Sequence, residues 1–187
     1  MYILMDIEAT CWITPPRPKN QFAETIEVAA FAIDNELNFC SEFQAFIKPT
    51  INPCLSLSCI ELTNISQEEV NNGLIFKEAM DSFYSWLPKE EFKIFSWGPF
   101  DRIQLLKEIK KKSYESGLIE IIFNRMKTVD NYFKKKYKLE KGGLLNIMNH
   151  FGLDPIGKAH RAYGDVQNMY QLFRYCSDDI KEDIFNI

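Results

Sequence analysis

Three short stretches hold residues that could do chemistry together. Residues 5–11 read MDIEATC and place Asp6 and Glu8 two positions apart. Residues 96–101 read SWGPFD and end in Asp101. Residues 159–169 read AHRAYGDVQNM and carry His160 and, five positions on, Asp165. Residues two apart in a strand share a face, so Asp6 and Glu8 would stand side by side. Two such anions repel, and in a buried strand they need a cation between them. An all-oxygen donor set is hard and selects Mg2+ or Mn2+ over zinc. Imidazole is the side chain best suited to take a proton from an attacking water near neutral pH. Each stretch also has an ordinary reading. Acids at a strand end can sit in water, an Asp in a first helical turn complements the helix dipole, and a lone histidine is usually structural, as expected of His150.

The elements that must position these residues follow from hydrophobic periodicity. Residues 2–5, 26–33 and 40–47 read as strands, with a polar turn at 34–38 that makes the last two a hairpin. Residues 14–20, TPPRPKN, form a Pro-rich loop. Ser66 followed by Glu69 is a capping box that opens a helix. Residues 75–87 place Ile75, Ala79, Met80, Phe83 and Leu87 on one helical face and stop before Pro88. A short strand at 92–95 precedes a helix opened by Pro99 and running to 109. A further strand is expected near 119–123, and helices at 129–137, 143–151 and 162–176. This order predicts an α/β sandwich around a mixed sheet, in a single domain over residues 1–187.

Bulk properties narrow the class. The 187 residues are 46% hydrophobic and 26% charged, as in an ordinary globular chain. The longest apolar run, VAAFAI at 28–33, is far too short to span a bilayer, and the N-terminus has no signal-peptide pattern. Five cysteines without paired CxxC spacing suggest reduced thiols and a cytoplasmic location. The net charge of −4 is uneven: residues 1–91 hold 5 Lys/Arg against 14 Asp/Glu, and residues 92–187 hold 17 against 12. A carboxylate cluster beside a phosphate-binding surface would give that pattern, and so would simple drift in composition. The overall acidity argues against tight non-specific binding of long duplexes.

The ordered set D-x-E, then FD, then H-x4-D is the DEDDh exonuclease pattern. Beyond it, DIEATC at 6–11, ETIEVA at 24–29 and FIKPTINPCLSLSCIELTNISQEEV at 46–70 resemble the Eri-type 3′–5′ exoribonucleases. The resemblance covers residues 1–176 and implies an RNase H-like mixed five-stranded sheet flanked by helices. It implies that Asp6, Glu8, Asp101 and Asp165 hold two divalent metal ions, Mg2+ or Mn2+, with His160 as general base. It also implies that the backbone of Ala9 and Thr10 holds the terminal nucleotide and that Phe100 stacks on its base. Ser58 stands where the family usually has an aromatic, and Asn64 where it usually has Gly, a position Asn tolerates in a left-handed backbone.

The implied activity is removal of 3′-terminal nucleotides from single-stranded RNA or RNA 3′ overhangs as 5′-monophosphates. The alternatives are the same chemistry on single-stranded DNA, or a non-catalytic nucleic-acid-binding module. Trp97 is a second candidate stacking residue or else core. Residues 134–141, KKKYKLEK, are the first candidate for guiding the strand, and Lys107 with residues 110–112 the second. No protein partner is indicated.

Overall fold

A strand with no polar alternation must be covered on both faces, and residues 26–33 form such a run. In the computed structural model, which describes residues 1–140, 142–157 and 160–185, this run is the second of five strands. They are β1 (Tyr2–Ala9), β2 (Thr25–Ile33), β3 (Phe39–Phe46), β4 (Lys93–Ser96) and β5 (Met126–Thr128). The sheet order is β3-β2-β1-β4-β5. β1, β2 and β3 pair antiparallel, while β4 runs parallel to β1, and β5 parallel to β4. The helices are α1 (Leu57–Thr63), α2 (Gln67–Asn71), α3 (Phe76–Trp86), α4 (Phe100–Lys111), α5 (Leu118–Arg125), α6 (Asp130–Lys136), α7 (Leu144–His150) and α8 (Ala162–Tyr175). Ser177–Asp179 and the π-helical turn Ile180–Ile184 follow. No helix among the described residues is long and apolar enough to cross a membrane.

Alternation along β1 divides the core. Ile3, Met5 and Ile7 pack with Phe76, Met80, Phe83, Leu105 and Ile109 from α3 and α4. Leu4 packs on the opposite face with Val166, Met169 and Phe173 of α8 and with Phe133 of α6. Each such buried side chain contributes about 1.5–3 kcal/mol of burial free energy. The same alternation puts Asp6 and Glu8 on the α8 face. The mixed sheet, the 34–38 turn and the capping box of Ser66 with Glu69 are all as expected. Asn64 ends α1 in the left-handed conformation at φ 54°.

Two expectations change. β1 does not stop at Met5 but continues to Ala9, so both acids lie within it. The stretch at 119–123 is helical: α5 buries Leu118 and Ile122, four apart, in the α3/α4 core layer. Its isoleucines have strand propensity, but the spacing of the residues that can reach the core decides the outcome. The fifth strand is the three-residue β5 just beyond it.

A buried ionic network fixes α4 to the sheet. Lys112 Nζ lies 3.0 Å from Glu24 Oε1 and 2.8 Å from Glu108 Oε1, and both glutamates are fully buried. Glu108 Oε2 accepts from the Thr25 N–H and hydroxyl, each at 2.7 Å. Glu24 accepts from the N–H groups of Thr50, Ile51 and Asn52. Burial pushes the Glu24 carboxyl up, but these N–H groups and Lys112 outweigh it and hold it below the usual carboxylate range. Lys112→Met leaves two buried carboxylates without their cation, and urea denaturation should show a loss of about 3 kcal/mol. A loss below about 1 kcal/mol would contradict this role.

Candidate active site

β4 is half as long as β1, and that mismatch creates the site. The two strands pair only from Tyr2 to Leu4, opposite Lys93 to Phe95. Beyond Leu4 the β4 side of β1 has no strand beside it, because the chain turns at Gly98-Pro99 and enters α4. The Ile7 N–H, between the two acids, donates instead to Asp101 Oδ1 at 3.0 Å. Asp101 is only 4% exposed, so it faces the sheet rather than serving as a solvated first-turn acid.

α8 brings the remaining two residues. Glu8, His160 and Asp165 each place one potential ligand atom within 4.8 Å of the others. His160 occupies the turn before α8 with φ 57° and an exposed ring. Asp165 lies in the first turn of α8. The five residues of the D-x-E, FD and H-x4-D set are thus gathered at the β1 end where β2 begins.

What holds α8 there was not visible in the motif. Arg161, at the N-cap, makes no side-chain cap hydrogen bond. The Ala162 N–H donates instead to Glu27 Oε2 at 3.0 Å, and Glu27 lies directly across the ladder from Glu8. Arg161 Nε donates to the same Oε2 at 3.1 Å, and Gln44 Nε2 donates to Glu27 Oε1 at 2.7 Å. Arg161 also stacks over Phe46, with its Cζ 5.1 Å from the ring centroid, and donates to the Asn64 carbonyl. One fully buried carboxylate therefore caps α8 and anchors the residue after His160. The available signal was a single acid within the apolar run IEVAAFAI, paired with an arginine next to the motif histidine.

The acids repel strongly. Burial pushes the Asp6 carboxyl well above its ordinary value, and Asp101, Asp165 and Glu8 push it further. Glu8 is pushed up to about 8 by burial, then by Asp165 and Glu27. Asp101 is pushed up to about 7 by burial, against the opposing pull of the Ile7 N–H. Asp165 is raised by burial, with His160 opposing. Carboxylates that can ionise together only at a cost are a site for divalent cations, and an all-carboxylate set with one imidazole fits such ions.

The substrate-binding candidates separate. Phe100 opens α4 beside Asp101 and is 53% exposed, free to stack. Ala9 and Thr10 follow the bulge at Glu8/Ala9, the device that ends regular pairing here. The Thr10 N–H donates to the Glu24 carbonyl at 2.8 Å, so this donor is committed within the protein. Trp97 is core: its Nε1 donates to the Gly142 carbonyl at 2.6 Å and its ring stacks on Phe133. Ser58 is buried and accepts from the Ile13 N–H at 3.1 Å, so it offers no stacking surface. His150 lies at the end of α7 against Tyr137 and Phe151, as a structural histidine.

The raised carboxyls set a pH dependence. Between the ordinary carboxylate range and about pH 8, the folded protein without divalent ions binds more protons than the unfolded chain. Its stability in EDTA should therefore be greatest near pH 4–5 and decline as pH rises through about 8. Saturating Mn2+ should flatten that decline, and Asp6→Asn should reduce it. Urea titrations showing stability in EDTA level or rising over pH 5–8.5 would contradict the geometry of repulsion.

Comparison with known proteins agrees with this site. The family model described as Exonuclease (RNase_T) matches residues 3–173. The Drosophila melanogaster protein "3'-5' exonuclease Snipper" is 29% identical over 190 residues, covering 91% of this chain and 66% of that protein. Human "ERI1 exoribonuclease 2" is 27% identical over 189 residues, covering 89% of this chain and 27% of that protein. The chain thus spans about a quarter to two thirds of these relatives' lengths. The nuclease domain of 3'hExo, a DEDDh family member solved with rAMP bound, superposes with a TM-score of 0.82 at 21% identity, covering 95% of this chain and 92% of that one. That likeness shows the RNase H-like fold. The chain belongs to the exonuclease family.

Proposed function

We propose that the protein is a 3′–5′ exonuclease that removes single nucleotides from single-stranded RNA or RNA 3′ overhangs as nucleoside 5′-monophosphates. The observation that carries this reading is the meeting of Glu8, His160 and Asp165 within 4.8 Å, beside an Asp101 hydrogen-bonded between Asp6 and Glu8. The relatives named as 3′–5′ exonuclease and exoribonuclease support it, and the rAMP held by the structural neighbour supports a ribonucleotide in the pocket.

Asp6, Glu8, Asp101 and Asp165 are the residues that would hold two divalent ions, Mg2+ or Mn2+. Bound there, the ions would supply positive charge to the scissile phosphate and to the oxygens that gain charge as the bond exchanges. Phe100 stacks on the terminal base and sets the reach of the 3′ end. His160 takes a proton at an imidazole nitrogen from the attacking water. The water oxygen bonds to phosphorus, the P–O3′ bond of the preceding nucleotide breaks, and that 3′-oxygen regains a proton. The exposed ring of His160 can then return its proton to solvent.

Labelled RNA decamers tested with Mg2+, with Mn2+ and in EDTA should release 5′-monophosphates from the 3′ end in either metal and none in EDTA. His160→Ala should slow release by about 100-fold or more, and Asp6→Asn should do so at least as strongly. Wild-type rates in both variants, or release from the 5′ end, would overturn this reading. Faster trimming of a matched DNA decamer would shift the substrate from RNA to DNA.

A further inference from the structure

The path of the strand upstream of its 3′ end can be read from where the lysines lie. The run at 134–141 divides. Its end leads through Gly142, whose carbonyl accepts from Trp97 Nε1, to residues 143–146, which line a cavity with His160 and Asp165. Lys141 lies outside the described residues, and Lys136 is held elsewhere. Lys136 sits between Asp179 Oδ1 at 2.8 Å and Asp183 Oδ2 at 2.7 Å. The chain then reaches Phe185, whose ring stacks on Tyr2 at the start of β1. Tyr2 and Glu8 are about 20 Å apart along an extended strand, so Lys136 lies far from the acids and is already paired.

α4 lies along the site's own edge. Asp101 accepts from Ile7, Gln104 Nε2 donates to the Ala23 carbonyl at 2.7 Å, Glu108 accepts from Thr25 and Lys112 pairs with Glu24. Glu24 in turn is bonded to Thr10 through both its backbone groups. Every acid of α4 faces inward: Asp101 and Glu108 are both buried. The outward stripe is Phe100, Ile103, Lys107, Lys110 and Lys111, all exposed and spaced to share one helical face. Phe100, next to Asp101, is 53% exposed and Ile103, one turn on, is 46% exposed, two large apolar side chains presented to water. None of the three lysines is ion-paired among the described residues, and Lys111 Nζ lies 6.0 Å from the Phe22 ring. A solvated helix face usually mixes both signs of charge; this one is apolar at the site and then purely basic.

We propose that this stripe is the track for the single strand 5′ of the scissile nucleotide. The inference rests on the single-strand nuclease reading above. Ile103, one turn from Phe100, meets the next base, and Lys107, Lys110 and Lys111 neutralise successive phosphates. Twelve helical residues span about 18 Å, the length of about five stacked nucleotides.

The test is fluorescence anisotropy of a 3′-hydroxyl RNA decamer and a dinucleotide in Ca2+, across a salt series. For Lys107→Glu/Lys110→Glu/Lys111→Glu, the preference for decamer over dinucleotide should fall about tenfold, and the log–log salt slope for the decamer should drop by about 2, at 0.7 per lost contact on a single strand. Ile103→Ser should weaken decamer binding with the slope unchanged. A triple variant with wild-type decamer affinity and slope, at an unchanged melting temperature, would overturn the proposal and leave the stripe to an acidic protein partner or to solvent. Equal losses on decamer and dinucleotide would also overturn it. Binding differences as predicted in a protein that releases no nucleotide would fault the nuclease reading and retain the track.

Discussion

Like-charge repulsion is the constraint around which this structure is built. Asp6, Glu8, Asp101 and Asp165 point into one partly buried volume, and bringing them together is unfavourable until positive charge arrives. The scaffold holds them with bonds that do not depend on that charge. Asp6 and Glu8 are fixed by the ladder of β1, a central strand with β2 along its whole length. Asp101 is fixed by the Ile7 N–H. Asp165 and His160 are fixed through α8, whose N-terminus is capped by Glu27 from the neighbouring strand. Removing the repulsion would make the protein without bound cations more stable.

The same scaffold manages the other charges around the site. Glu27 lies beside the cluster and adds to the push on Glu8, while Arg161 and the Ala162 N–H donate to it and hold it in place. The second charged network, Glu24 with Glu108 and Lys112, fixes the backbone at Thr10 and the whole inner face of α4. Both networks sit where an element must stop or turn: one at the start of α8, the other where β1 gives way to the loop. Their ionic bonds are directional, and they specify positions that apolar packing alone leaves free to slide.

Much of the site was legible in the sequence, because chemistry dictates residue type at fixed order. D-x-E, FD and H-x4-D name the five residues that the structure gathers, and Asn64 announces its left-handed backbone. The fold's central layers were legible from periodicity. What failed were readings that depended on a partner. Periodicity alone ends β1 at Met5, because two acids inside a core strand make sense only with a site in front of them. Residues 119–123 misled because isoleucines suit strand and helix, and the contact with the core at Leu118 and Ile122 decides. The lysines were illegible as a group: Lys112 and Lys136 are consumed by internal acids, while Lys107, Lys110 and Lys111 are not. No local pattern separates the two sets. Glu27 and Arg161, 134 residues apart, are linked only by the fold.

The central claim is that these four acids form one divalent-cation site. Calorimetric titration of Mn2+ into the EDTA-stripped protein at pH 7.5, with and without a nucleoside 5′-monophosphate, tests it most directly. The account predicts binding that releases protons, that tightens and approaches two ions per chain with the nucleotide present, and that is lost or halved in Asp101→Asn. Mn2+ binding that is absent, or that is the same in wild type and Asp101→Asn, would contradict it.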